Sequence, residues 1–107
     1  MNNLSKTIPF IERKIIELLL DTLFENGAKK IEVFDSEETS CEPTSDRKQI
    51  EEAIGITDET TLFICGESGL RESFVWLVHG NGEDLITDCS ANEWMDGVMA
   101  VIEEEVY

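Results

Sequence analysis

The sequence predicts an α+β fold of two layers, in which an antiparallel sheet packs against helices near the two ends of the chain. Three observations lead to this prediction. Apolar residues recur at helical spacing near both ends, apolar runs of strand length lie between them, and glycine-rich turns connect the last three runs. Consecutive strands with tight turns pair antiparallel, and flanking helices can cover one of their faces. The predicted order is α-β-α-β-β-β-α in one domain, residues 1–107.

The first predicted helix covers residues 8–25. Its apolar side chains recur at three- and four-residue spacing and occupy more than one side, which is typical of a helix that is buried broadly. Thr7 is the predicted N-cap, with Pro9 tolerated in the first turn. Asn26 followed by Gly27 marks the end, because glycine accepts the left-handed conformation there.

Four strands are predicted. Residues 30–35 alternate between apolar and polar side chains and form the first strand. The polar, acidic segment 36–45 is predicted to be a loop, although residues 39–42 could hold a short edge strand. The other three strands form a meander. Because two of them are apolar on both faces, we expect them inside the sheet, with Trp76 in the core. The meander strands are residues 61–65, 73–79 and 84–88.

Two further helices are predicted from their terminal signals. Residues 46–54 form a short helix with Ser45 as its N-cap. Ser90 followed by Glu93 fits a capping box and opens the last helix, residues 91–104. We expect the first and last helices to cover one face of the sheet.

Negative charge is concentrated in the later part of the chain. The net charge is −16, and no Lys or Arg follows Arg71. Residues 1–31 carry four acids and five bases, whereas residues 32–107 carry 20 acids and three bases. A field of this sign repels nucleic acid and anionic membranes and attracts basic proteins. We therefore expect a basic protein partner, no direct binding of nucleic acid and no membrane binding.

The last predicted helix is divided into an apolar side and an acidic side. The acidic side carries Glu93, Asp96, Glu103 and Glu104. A solvated helix face explains most such charge runs. Exposed helices usually mix charge signs, however, and acids at a helix C-terminus oppose the helix dipole. We therefore predict that these four acids form a partner-binding ridge, flanked by Glu83 and Asp84. Trp94 lies at the edge of this ridge and is either a core residue or a partly exposed anchor for the partner.

No residue pattern indicates catalysis, a cofactor or a metal site. His79 is the only histidine. The cysteines lack both the paired spacing of zinc ligands and the basic neighbours of a reactive thiol. We expect no enzymatic activity, no catalytic residue, no cofactor and no bound metal. An odd number of cysteines without a CxxC pair, and no apolar leader or membrane span, favour the cytoplasm. The cysteines are Cys41, Cys65 and Cys89.

One segment resembles known proteins. Residues 74–90, FVWLVHGNGEDLITDCS, look like a strand–Gly-Asn–strand segment of small uncharacterised phage and prophage proteins. The helix near Asp46-Arg47 and the strand Thr61-Leu62-Phe63 are similar to theirs as well. The resemblance implies an α+β fold and carries no function for any residue. In type, though not in sequence, a small acidic α+β protein also resembles phage inhibitors of host defence, including DNA mimics and anti-CRISPR proteins.

These observations favour a non-enzymatic acidic binding protein. In its concrete form, it is a phage-type inhibitor, or DNA mimic, that occupies the basic site of a nucleic-acid-binding protein. The alternative is a small structural or assembly domain that self-associates through apolar surface, for example as a homodimer. An exposed patch of Trp94, Met95 and Met99 would favour the alternative.

Overall fold

The computed structural model describes residues 3–106 and has the predicted α+β class. Its helices are α1 (Phe10–Glu25), α2 (Arg47–Ala53) and α3 (Glu93–Val106). Its strands are β1 (Lys30–Phe34), β2 (Thr39–Thr44), β3 (Glu59–Cys65), β4 (Arg71–Val78) and β5 (Ile86–Cys89), and a 3₁₀ turn, Gly82–Asp84, precedes β5. The order along the chain is α-β-β-α-β-β-β-α, so the described residues contain one strand more than the predicted order.

All the strands form one antiparallel sheet in the order β2-β1-β3-β4-β5. The central strand is β3, in which Leu62 lies opposite Val33 of β1 on one side and opposite Val75 of β4 on the other. These three side chains are completely buried in the core that the sheet shares with the helices. The predicted meander is therefore β3-β4-β5, and β1 joins it at β3.

The helices pack on the same face of the sheet, as predicted for the first and last. Ile15 and Leu19 of α1 are completely buried, and α3 packs beside α1. The short helix α2 belongs to this layer, because Ile50 is part of the same core and Arg47 Nη2 donates to the backbone oxygen of Glu17 at 3.2 Å. Within residues 3–106, no helix is both long enough and apolar enough to cross a membrane.

The strands β3 and β4 lie inside the sheet, as predicted, but the face of the sheet opposite the helices is open. Four aromatic side chains on this face are only half-buried: Phe34, Phe63, Phe74 and Trp76. Trp76 is therefore not in the core, and its indole N–H donates to Glu59 Oε1 at 3.0 Å. The aromatic rings shield one another, since Phe34 and Phe63 meet edge to face with centroids 6.2 Å apart. A strand whose side chains are apolar on both faces can thus be covered by other elements on one face only.

The additional strand β2 lies in the segment that was predicted mainly as a loop. It extends the predicted short edge strand to Thr44, which pairs with Ile31 of β1. Pro43 lies within it, and an edge strand tolerates proline because one side of its backbone has no partner in the sheet. The polar composition that indicated a loop reflects the exposed position of this edge.

The predicted N-caps of the first two helices are wrong. Thr7 does not cap α1, which begins after Pro9, because a proline disfavours helical geometry in the residue before it. At α2 the cap is Asp46 and not Ser45. The Asp46 carboxylate accepts hydrogen bonds from two backbone N–H groups of the first turn.

The start of α3 also differs from the prediction. Ser90 does not cap the helix, because its hydroxyl accepts a hydrogen bond from the backbone N–H of Phe74 at 2.9 Å and so belongs to the sheet edge. Asn92 takes the capping role, and its Oδ1 accepts from the backbone N–H of Met95 at 2.8 Å. The helix therefore begins two positions later than residue 91.

Candidate functional site

The acids predicted to form a ridge lie on the exposed side of α3. On the other side, Met95, Val98 and Ile102 face the core and are almost completely buried. The four exposed acids, which we call the acidic ridge, are Glu93, Asp96, Glu103 and Glu104. Gly97 and Ala100 lie between them and are also exposed, so no large side chain covers the ridge.

No cation within the described residues is paired with the acidic ridge. Arg47 forms ion pairs with Asp21 and Glu51, and Arg71 forms one with Glu32. The ion pairs of residues 3–106 include none of the ridge carboxylates. The ridge is therefore an anionic side of α3 whose carboxylates have no ion-pair partner among residues 3–106.

The acidic ridge extends along most of α3. Glu93 and Glu104 are 11 positions apart, which corresponds to about 16 Å at 1.5 Å of rise per residue. Duplex DNA of that length carries about ten phosphate charges, whereas the ridge carries four carboxylates. The ridge alone therefore has less than half of the charge density of a duplex.

The predicted flanking acids, Glu83 and Asp84, are exposed in the 3₁₀ turn before β5. This turn is attached to the start of α1, because the backbone N–H of Gly82 donates to Glu12 Oε2 at 2.9 Å. The last turn of α3 also lies near the start of α1, where it borders Ile11. The structure therefore places the two flanking acids at the same end of the helical layer as the C-terminal part of the ridge.

Trp94 connects the start of α3 to the end of α1. Its side chain is half-buried against the core, and its indole N–H donates to the backbone oxygen of Asn26 at 2.9 Å. Because the end of α3 borders the start of α1, the two helices are antiparallel. Met95 is completely buried and Met99 is partly buried, so these two residues and Trp94 do not form the exposed patch that would favour self-association.

A buried polar cluster that sequence reasoning missed joins α1 to β3 and to the end of β4. His79 Nε2 is hydrogen-bonded to Thr60 Oγ1 at 2.7 Å, and His79 Nδ1 lies 3.9 Å from Glu12 Oε1. This order of hydroxyl, imidazole and carboxylate is that of a catalytic triad. Thr60 is only 1% exposed, however, so its hydroxyl is closed to a substrate. Burial lowers the pKa of His79, although the carboxylates of Glu12 and Asp58 oppose this effect.

The cysteines are free thiols, and none of them is activated. Burial raises the pKa of Cys41, Cys65 and Cys89, and nearby carboxylates raise it further. In the part of the chain that the structure describes, no group of three or more His, Cys, Asp or Glu side chains is arranged to hold a metal ion.

Comparisons with protein-family models, with curated proteins and with solved structures found no match. The geometry and charge of the chain's own residues are therefore the basis for a proposed function.

Proposed function

We propose that this chain is a non-enzymatic binding protein whose acidic ridge engages a basic protein. The observation that supports this best is the row of four exposed carboxylates on α3 without a paired cation among residues 3–106. Local helix stability accounts for Glu93 and Asp96, which lie in the first turn, but not for Glu103 and Glu104, because acids near the last turn oppose the helix dipole. Lysine and arginine side chains of a partner would supply the missing counter-charges through charge-assisted hydrogen bonds.

The concrete form of the proposal is an inhibitor that occupies the site where a basic protein binds nucleic acid. Its carboxylates would replace phosphates as partners for the same Arg and Lys side chains. Since the charge density of the ridge is below that of a duplex, the ridge replaces only part of the nucleic acid, and Glu83 and Asp84 would extend it at one end. A cytoplasmic location is part of this proposal, and the three free thiols support it.

A binding titration with two variants of equal net charge tests the proposal. The probe is a set of basic nucleic-acid-binding proteins purified on heparin. The ridge variant carries Glu93→Gln, Asp96→Asn, Glu103→Gln and Glu104→Gln. The control variant neutralises four other exposed acids through Glu25→Gln, Glu37→Gln, Glu52→Gln and Glu67→Gln.

We expect the unmodified chain to bind at least one probe protein and to lose about tenfold or more in affinity between about 50 and 200 mM salt. The ridge variant should bind about tenfold more weakly at low salt, the control variant should bind normally, and duplex DNA should compete. Equal losses in both variants would show that only net charge matters. Binding that does not depend on salt would contradict the electrostatic mechanism.

Self-association through apolar surface is a second candidate function, and one observation favours it. The open face of the sheet carries the four half-buried aromatic side chains described above. A dimer that persists at about 500 mM salt, where charge interactions are screened, and that dissociates in Phe74→Ser would support this candidate. A monomer at every salt concentration in sedimentation velocity would exclude it.

A further inference from the structure

We infer that the partner's contact segment is a basic amphipathic helix that lies in the groove between α1 and α3. This inference rests on the proposed function and adds to it the kind of segment that is bound and a second, apolar part of the binding surface.

The groove lies between two antiparallel helices and has a volume of about 460 Å³. Of its four apolar side chains, Ile15 is completely buried and the other three are not fully covered by the chain's own packing. Ile11 is 40% exposed, and Leu18 and Val106, which also line the groove, are half-buried. Val101 lies one turn before Glu105 on the same side of α3 and is 39% exposed. The groove therefore offers an apolar strip that remains in contact with solvent.

The rim of the groove is mainly acidic. Three acids line it, Glu17 and Asp21 of α1 and Glu105 of α3, together with one base, Lys14. Asp21 is also paired with Arg47 at 2.7 Å, so a partner would compete with that ion pair. The Lys14 ammonium lies 5.0 Å from the ring centroid of Phe10 and is thereby held toward the start of α1. The acidic ridge lies on the exposed side of the same helix, α3. An occupant with an apolar stripe between Lys and Arg side chains would match this distribution of charge.

The dimensions of the groove fit a short helix. Its lining on α1 extends from Ile11 to Asp21, a distance of about 15 Å or about three helical turns. On α3 only Glu105 and Val106 of the last turn line it, so an occupant would lie mainly along α1. Side chains of a third helix can enter the groove between two packed helices. A second copy of this chain is a poor occupant, because it would bring its own acids against Glu17, Asp21 and Glu105.

Two synthetic peptides of about 14 residues and identical composition test the inference. One has leucines spaced three and four apart with lysines on the flanks, so that it forms an amphipathic helix. The other has the same residues in scrambled order. Their affinities for the full chain are measured by fluorescence anisotropy at about 50 and 200 mM salt. The protein variants are Ile11→Ser and Val101→Ser in the groove, Leu70→Ser as a control at a site that is 72% exposed, and the ridge variant.

The amphipathic peptide should bind about tenfold or more tightly than the scrambled one. Ile11→Ser and Val101→Ser should weaken it severalfold without changing its salt dependence, and Leu70→Ser should have no effect. The ridge variant should reduce the salt dependence. Equal binding of the two peptides, or no binding of either, would overturn the inference. A dimer of the chain that Ile11→Ser abolishes would also overturn it, because a second copy would then occupy the groove. The amphipathic peptide could also bind more tightly than the scrambled one with an affinity that depends neither on salt nor on the ridge acids. That result would leave the groove as the binding site and would overturn the proposed function instead.

Discussion

The Glu12 carboxylate accepts hydrogen bonds from the backbone N–H of Gly80, 68 positions later in the chain, at 3.0 and 3.1 Å. The N–H of Gly82 adds a third at 2.9 Å. Glu12 is only 1% exposed, so these donors compensate the burial of its charge. The side chain thereby fastens the connection after β4 to the first turn of α1.

Glu12→Gln should therefore destabilise the chain by about 2–4 kcal/mol. The amide keeps one acceptor oxygen and presents an NH₂ group to a backbone donor in place of the other. The free energy of unfolding, measured in urea, checks this value. Glu25→Gln makes the same chemical change at an exposed position at the end of α1 and should cost nothing. A loss below about 0.5 kcal/mol for Glu12→Gln would mean that the carboxylate is not holding the connection.

The largely buried imidazole of His79, whose side chain is 11% exposed, should make stability depend on pH. Because burial lowers its folded pKa below the unfolded value of roughly 6.5, the unfolded state takes up the proton first as the pH falls. His79 should therefore reduce the free energy of unfolding progressively as the pH falls through about 6.5, until the folded pKa is passed.

Comparison with His79→Gln isolates this contribution from the general effect of acid on a chain of net charge −16. Urea unfolding between about pH 7.5 and 5.5 should show the unmodified chain losing stability relative to the variant. The opposite trend would mean that attraction of the imidazolium by Glu12 and Asp58 outweighs the cost of burial.

Glu32 and Arg71 form a two-point ion pair on the open face of the sheet. The distances from Arg71 Nε and Nη2 to the two Glu32 carboxylate oxygens are 2.9 and 2.7 Å, and the guanidinium carbon lies 3.9 Å from the ring centroid of Phe63. The hydrogen bonds from Arg71 hold the pKa of Glu32 below its usual value. The pair should therefore stabilise the fold above about pH 4.3 and lose this effect as the pH falls through the lowered pKa.

Arg71→Met should cost about 2–3 kcal/mol at neutral pH, because Glu32 is only 5% exposed and would lose its counter-ion. Glu32→Leu with Arg71→Met should cost less than the sum of the two single changes, with a coupling of about 1–3 kcal/mol. Urea unfolding of the four proteins of this cycle gives the coupling. Simple additivity would show that the pair contributes nothing to stability.

Two glycines should respond to alanine with opposite signs. Gly55 has φ +82°, and an added Cβ would lie 2.9 Å from Ile8 Cδ1, so Gly55→Ala should cost about 1–3 kcal/mol. Gly97 lies inside α3 with open space around the added atom. Gly97→Ala should therefore stabilise the chain by about 0.5–1 kcal/mol. Thermal unfolding of both variants measures the two effects, and destabilisation by Gly97→Ala would indicate that alanine disturbs the packing of α3.

Local patterns predicted most elements because each pattern is made by neighbouring residues. The spacing of apolar residues in α1 and the separation of the acidic ridge from Met95, Val98 and Ile102 depend only on the helical period. Helix starts were predicted less well. Candidate caps such as Ser45 and Asp46 adjoin each other, and the backbone path decides which side chain reaches the first turn.

The buried role of Glu12 had a weak signal in the sequence. It lies four positions after Ile8 and four before Ile16, and both isoleucines are buried, so it falls on the apolar stripe of α1. What the stripe does not reveal is the partner, because Gly80 reaches Glu12 only after β3 and β4 have paired. Compensation of a buried charge depends on contacts between distant segments.

The amino-acid order by itself determined the α+β class, the meander and the exposed acids of α3, since each follows from side-chain period and net charge. Only the tertiary structure decided that one face of the sheet stays open, that Glu12 is buried beside His79, and that α1 and the last turn of α3 flank a groove with apolar and charged side chains. These features arise where segments far apart in the chain meet, and their positions are set by packing and strand register, which no single segment encodes.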